Sequence, residues 1–155
     1  MQRRIEAISI QIKTINNEHA AAGLLRSGVT LKRSLRICKT AINEQSQTVQ
    51  KEYLWAANTA IFASQTWINQ LVSDAVDSLE LLHKEAIKEL KKAVILVGTP
   101  EHIDRLMAEL QITREAANNE ITLALHSGFV ERSRGLIKPI FGWIPRLIAR
   151  IFSGT

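Results

Sequence analysis

The sequence predicts an all-α protein. The expected architecture is an elongated antiparallel helical hairpin, helix one against a long helix two-three, then a shorter fourth helix and a C-terminal amphipathic helix. Two observations predict it. Between Gly28 and Gly98 the chain holds neither glycine nor proline, the residues that most readily end a helix. Along that run apolar or small residues recur in steps of three and four, at Leu31, Leu35, Cys38, Ile42, Val49 and Tyr53. Gln45 is the one polar intruder, and the stripe resumes through Ala60, Ser64, Trp67, Leu71, Val76 and Leu79. A period near 3.5 is that of a helix laid against another helix. No segment alternates with the period of two that a strand requires.

The first helix spans Gln2 to about Arg26, with Ile5, Ile8, Ile12 and Ile15 on one face. Gly28 suits a left-handed helix end, and a short turn there leaves the first two helices antiparallel. Ser27 or Thr30 is placed to cap the second helix. That helix opens with a basic flank, Lys32, Arg33, Arg36 and Lys39, beside its apolar stripe. A solvated face is the ordinary meaning of such a flank. The acid-poor surroundings, with no carboxylate between Glu18 and Glu44, point instead to an anionic partner. Aromatic residues do not interleave with these cations, so base-stacking recognition of nucleic acid is not supported.

Beyond Glu52 the run turns acidic, and Lys84, Lys88, Glu85 and Glu89 support helix through neighbours three and four apart. Gly98 ends it. Thr99-Pro100-Glu101 then reads as a helix start, with Thr as cap, Pro at the first helical position and an acid in the first turn. The fourth helix is expected from Pro100 to about Ser127, burying Ile103, Leu106, Met107, Leu110, Ala117, Ile121 and Leu125, with Gly128 as its stop. The chain thus divides into a helical core, residues 1–128, and a basic amphipathic tail, residues 129–155. In the tail Trp143, Leu147 and other apolar residues share one face if helical, opposite Arg146 and Arg150. An interfacial membrane helix has that pattern. A tail docked back on the core has it too, and both readings stand.

The formal net charge of +5 conceals a sharper distribution. Residues 1–51 hold nine Lys/Arg and three Asp/Glu; residues 52–128 hold six and eleven; residues 129–155 hold five and one. Basic, acidic, then basic again, the chain is suited to an anionic surface or to head-to-tail contacts between copies. One cysteine, Cys38, excludes an internal disulfide framework and fits a reducing compartment. There is no run of about eighteen uncharged apolar residues for a spanning helix, nor a signal-peptide core at the start. His19, His83, His102 and His126 fall at no metal-ligand spacing, and no phosphate loop or nucleophile elbow occurs. No enzyme, no cofactor, no metal and no small-molecule substrate are expected.

The block Leu82–Gly128 resembles the third and fourth helices of the ESCRT-III (charged multivesicular body protein) family. Ile103-Asp104-Arg105-Leu106-Met107-Ala108-Glu109-Leu110, Glu120-Ile121 and Ala124-Leu125 fill the key places of the family pattern. Leu24–Lys39 is similar to the turn between that family's first two helices, and Ile61–Thr66 to the subgroup of the inner-nuclear-membrane adaptor. The resemblance covers residues 2–128. It implies a hairpin that opens and polymerises on membranes, alone or with related subunits, as a peripheral protein of endosome or nuclear envelope facing the cytoplasm. The implied lipid-facing residues are Arg3, Arg4, Lys13, Arg26, Lys32, Arg33, Arg36 and Lys39; the amphipathic pattern of the tail adds Trp143, Arg146, Leu147 and Arg150 as membrane-binding candidates. The implied self-assembly residues are Ile103, Leu106, Met107, Leu110, Ile121 and Leu125. The acidic linker and leucine/arginine motif that recruit the family's disassembly ATPase are not evident. Ile144–Phe152 echoes that motif without its leading acid and with Pro145, which leaves recruitment open. Two other readings remain: a membrane-disrupting tail on a helical stalk, and a coiled-coil adaptor whose tail docks a partner.

Overall fold

A computed structural model describes the backbone of residues 2–60 and 64–152, and the side chains of those residues as far as 133. Four long helices account for nearly all of it: α1 Gln2–Ala21, α2 Gly28–Thr59, α3 Gln65–Val97 and α4 Ile103–Phe152. A single 3-10 turn, Pro100–His102, precedes α4, and no strand occurs among the described residues. The all-α class read from the sequence is the class observed.

Helix ends show where local chemistry dominates. α1 stops at Ala21, short of the expected Arg26, because Gly23 and not Gly28 takes the left-handed conformation, with φ +70°. The amide of Gly23 then donates to Ala20 O at 3.1 Å and that of Leu24 to His19 O at 2.7 Å. This paired arrangement satisfies carbonyls that the last helical turn would leave bare. Gly28 instead opens α2 behind Ser27, whose side chain makes no capping bond. α3 closes by the same chemistry at Gly98, φ +80°, where Gly98 N donates to Ile95 O and Thr99 N to Val94 O.

Two expected boundaries are corrected. The glycine- and proline-free run, expected to be mostly helical with at most one or two bends, is interrupted once rather than forming a single helix two-three. It breaks at Ala60, whose ψ of 129° is extended, and restarts behind Ser64, which accepts a hydrogen bond from Trp67 N at 3.1 Å. Helix-ending residues are not required where a capping serine and a folded-back partner are present. Across the break the stripe shifts phase. Ser64 is exposed and Trp67, Leu71 and Val76 are half-buried, while Ile68, Ala75 and Leu79 form the buried row. The fourth helix is the second correction. Expected to be shorter than the helix two-three run, it is the longest of the four; it runs through Gly128, and no separate tail helix follows it among the described residues. A glycine stops a helix by adopting positive φ, which Gly128 does not do. Its missing side chain serves packing instead, since a Cβ there would meet Leu54 Cδ2 at 3.0 Å.

α2 lies at the centre. Leu31, Leu35, Cys38, Ile42 and Val49 share one core with Ile8 and Ile12 of α1, with Leu79, Leu82, Ala86 and Leu90 of α3, and with Leu106, Leu110, Ile121 and Leu125 of α4. Cross-helix pairs fix the directions. Arg4 reaches Glu44 and Thr48 while His19 meets Thr30, so α1 and α2 run oppositely. The Cys38 thiol faces Ala86 O at 3.7 Å from α3, also opposed. Lys39–Glu109, Ser46 to Ala117 O, and Arg132 to the carbonyls of Ala57 and Ala60 make α4 run parallel to α2. Past Arg132 the helical backbone of α4 continues beyond the last residues of α2, roughly 30 Å at 1.5 Å per residue.

Burial, reinforced by the negative charge of Glu89, pushes the Cys38 thiol up from 9.0 to about 12. At pH 8 the nucleophilic thiolate is therefore scarce as well as covered. The folded state also keeps this proton where the unfolded chain releases it, so the thiol's contribution to stability is full below pH 9 and declines as pH rises from 9 toward 12. Ellman's reagent added to native protein at pH 8 is expected to react orders of magnitude more slowly than with the chain in denaturant. Rapid stoichiometric labelling without denaturant would contradict the placement of Cys38 between α2 and α3.

Candidate functional site

The acidic and basic blocks are treated differently by the fold. In the acidic middle three of the four lysines find partners on their own helix: Lys84 with Glu80 at 3.7 Å, Lys88 with Glu85 at 3.2 Å and Lys92 with Glu89 at 2.6 Å. Around the α1–α2 turn Arg26, Lys32, Arg33 and Arg36 are exposed, and none has a carboxylate within ion-pair distance among the described residues. Arg3 and Lys13 on α1 are exposed likewise. The surface near the start of α2 thus carries a concentration of positive charge that no internal acid offsets.

Two residues expected on that surface are otherwise engaged. Arg4 is half-buried and donates to Glu44 at 3.2 Å and to Thr48 Oγ1 at 2.8 Å. Lys39 donates to Glu109 of α4 at 2.8 Å, and Arg105 lies 3.6 Å from the same carboxyl group. The Lys39 hydrogen bond, foremost, holds the Glu109 carboxyl below its ordinary 4.5, against the opposing effect of burial. Trp143, Arg146, Leu147 and Arg150 lie outside the described side chains, although their backbone belongs to α4.

A polar knot at the same turn was not foreseen. The Thr30 hydroxyl donates to Leu24 O at 3.0 Å and so accepts from His19 Nδ1–H at 2.6 Å. His19 Nε2 is then left to accept from Arg33 at 3.3 Å. In this arrangement Nδ1 is the donor of the imidazole and Nε2 its acceptor. The same chain of hydrogen bonds ties the root of the basic flank to the end of α1. The sequence signal was present in a histidine four residues before Gly23, but its partners become visible only when the turn closes.

The six apolar residues assigned to self-assembly are placed inside the bundle or against it. Leu106, Leu110, Ile121 and Leu125 are buried in the shared core, Ile103 packs on it and Met107 is half-buried. In this conformation the chain itself covers them. His83 is a core residue too, and burial followed by the nearby Arg114 lowers its pKa, keeping it neutral. No cluster of three or more potential metal ligands occurs among the described residues. No helix among the described residues is long and apolar enough to cross a membrane. Comparison of the chain with protein-family models, with curated proteins and with solved structures returns no match, so the family resemblance rests on the sequence pattern alone.

The Lys39–Glu109 pair is about one-third exposed, so its net contribution stays below about 1 kcal/mol. Because the folded carboxyl has the lower pKa, that contribution is present above pH 4.5 and fades as pH falls through the lowered value. Urea melts of Glu109→Gln and wild type should differ slightly at pH 7 and converge at pH 3. A difference that grows on acidification would contradict the assignment.

Proposed function

We propose that the protein is a peripheral membrane-binding subunit of ESCRT-III type, which docks on anionic lipid through the start of α2 and assembles there into filaments. The observation that carries the reading is the uncompensated charge of Arg26, Lys32, Arg33 and Arg36, where Lys84, Lys88 and Lys92 of the acidic middle each have an acid beside them. Positive charge beside an anionic leaflet contributes about 1 kcal/mol per residue at modest salt. The helix order, the turn near Gly28 and the pattern from Ile103 to Leu125 support the family within that class. Absence of aromatic side chains among these cations speaks against single-stranded nucleic acid as the partner.

On this reading, filament contacts through Leu106, Leu110, Ile121 and Leu125 require α4 to leave α2 and α3 first, because those side chains are covered in the closed bundle. The membrane would supply the free energy for that exchange. The end of α4, which extends beyond the last residues of α2, is well placed to be a second lipid contact, far along α2 from the first.

Replacing Lys32, Arg33 and Arg36 together by Glu should weaken binding to phosphatidylserine vesicles at least a hundredfold, since about 3 kcal/mol is removed. Helical circular dichroism should be unchanged, because all three side chains are exposed. Co-sedimentation reads the first effect, and negative-stain microscopy of the pellet shows whether wild type coats or tubulates the vesicles. A triple variant that sediments as wild type does would sink the docking surface. Wild-type pellets without filaments would remove the assembly half of the reading.

A further inference from the structure

We infer that a groove between the start of α2 and the start of α4 is a binding site for one single-chain anionic lipid, such as an alkyl phosphate or lysophospholipid. It rests on the membrane reading above only for the origin of its ligand. The groove encloses about 450 Å³, within the roughly 300–1,000 Å³ typical of small-molecule sites. Its floor is apolar, made by Leu31 and Leu35 of α2 and Leu106 of α4. Its rim is cationic, with Lys32 and Arg36 on one side and Arg105 on the other. Glu109 is the one carboxylate lining it, and that group already accepts from Lys39 and lies beside Arg105.

An occupant must therefore satisfy two demands at once. The floor selects an alkyl chain, since a hydrated ion or sugar gains nothing from three leucines. The rim selects a negative head, and its charge exceeds what Glu109 can neutralise. A neutral chain leaves the rim unmatched, and a cationic helix such as the chain's own tail is repelled by it. An anionic head on a single chain meets both, with Lys32, Arg36 and Arg105 converging on the head from two helices.

Gly28 offers a clean test. It lines the groove, sits at the first position of α2 with ordinary helical φ, and has nothing within 4 Å of where a Cβ would stand. Gly28→Phe should fill the groove while leaving the charges in place. Titration calorimetry of the whole chain with octyl, decyl and dodecyl phosphate, each below its micelle concentration, should show one saturable site per chain. Affinity should rise about fourfold for each added methylene until the groove is full. Inorganic phosphate should bind far more weakly, and Gly28→Phe should lower dodecyl phosphate affinity at least tenfold. Inorganic phosphate binding as tightly as the alkyl phosphates, affinity independent of chain length, or a Gly28→Phe variant that binds as wild type would each overturn the site. No saturable binding would also overturn it and leave the groove to an acidic protein segment. Vesicle sedimentation of Gly28→Phe, run in parallel, separates the two proposals. Wild-type sedimentation with lost alkyl phosphate binding supports the groove as a site separable from the vesicle docking surface, with Lys32 and Arg36 common to both. Retained alkyl phosphate binding in a wild-type chain that ignores vesicles upholds the groove and removes the membrane reading.

Discussion

The narrow apolar seam of α2 is the constraint on which the rest of the bundle depends. Leu31, Leu35, Cys38, Ile42 and Val49 lie along it, and each of the other three helices buries its own stripe against that seam or beside it. Small side chains make the close approach possible. Ser34 returns its hydroxyl to Thr30 O, Ser46 turns to Ala117 O, and the Cys38 thiol faces Ala86 O, so the polar atoms are satisfied without bulk. Gly128 does the same from the α4 side against Leu54. Large residues at these positions would hold α4 away and leave Ile121 and Leu125 uncovered.

The same seam links fold to proposed function. The apolar row of α4 that resembles an assembly surface is the row that closes the bundle. One set of leucines and isoleucines cannot cover α2 and contact a neighbouring copy at once. In the proposed assembly, closed monomer and filament would therefore compete, because Leu106, Leu110, Ile121 and Leu125 are buried in the closed bundle. The cationic surface stands outside this competition. Arg26, Lys32, Arg33 and Arg36 are exposed with α4 in place, so the proposed lipid contact would not require the bundle to open. The Lys39–Glu109 pair ties the basic flank directly to α4.

Much of this was legible in the sequence, for definite reasons. The stop at Gly98 combined a glycine with a following Thr-Pro, two local signals that agree. The basic flank followed from helical periodicity alone. What was not legible depended on partners distant in sequence. The break between Ala60 and Ser64 falls where the sequence has no glycine or proline, and its one local mark, the capping Ser64, also fitted an uninterrupted stripe. Gly128 carried the residue type of a helix stop while performing a packing role that only Leu54 reveals. Lys39 looked equivalent to Arg36 until Glu109, on another helix, claimed it. Within the site, the knot of His19, Thr30 and Arg33 needed the turn geometry to bring it together.

The claim that closed bundle and membrane assembly exclude one another is tested most directly by amide hydrogen exchange, with and without phosphatidylserine vesicles. In solution the amides of residues 106–125 and of residues 79–90 should be among the best protected in the chain, because their side chains form the shared core. On vesicles that carry filaments, the account predicts that residues 79–90 lose protection as α4 withdraws, while residues 28–38 at the docking surface gain it. Filaments forming with protection across 79–90 and 106–125 unchanged from the free protein would contradict it.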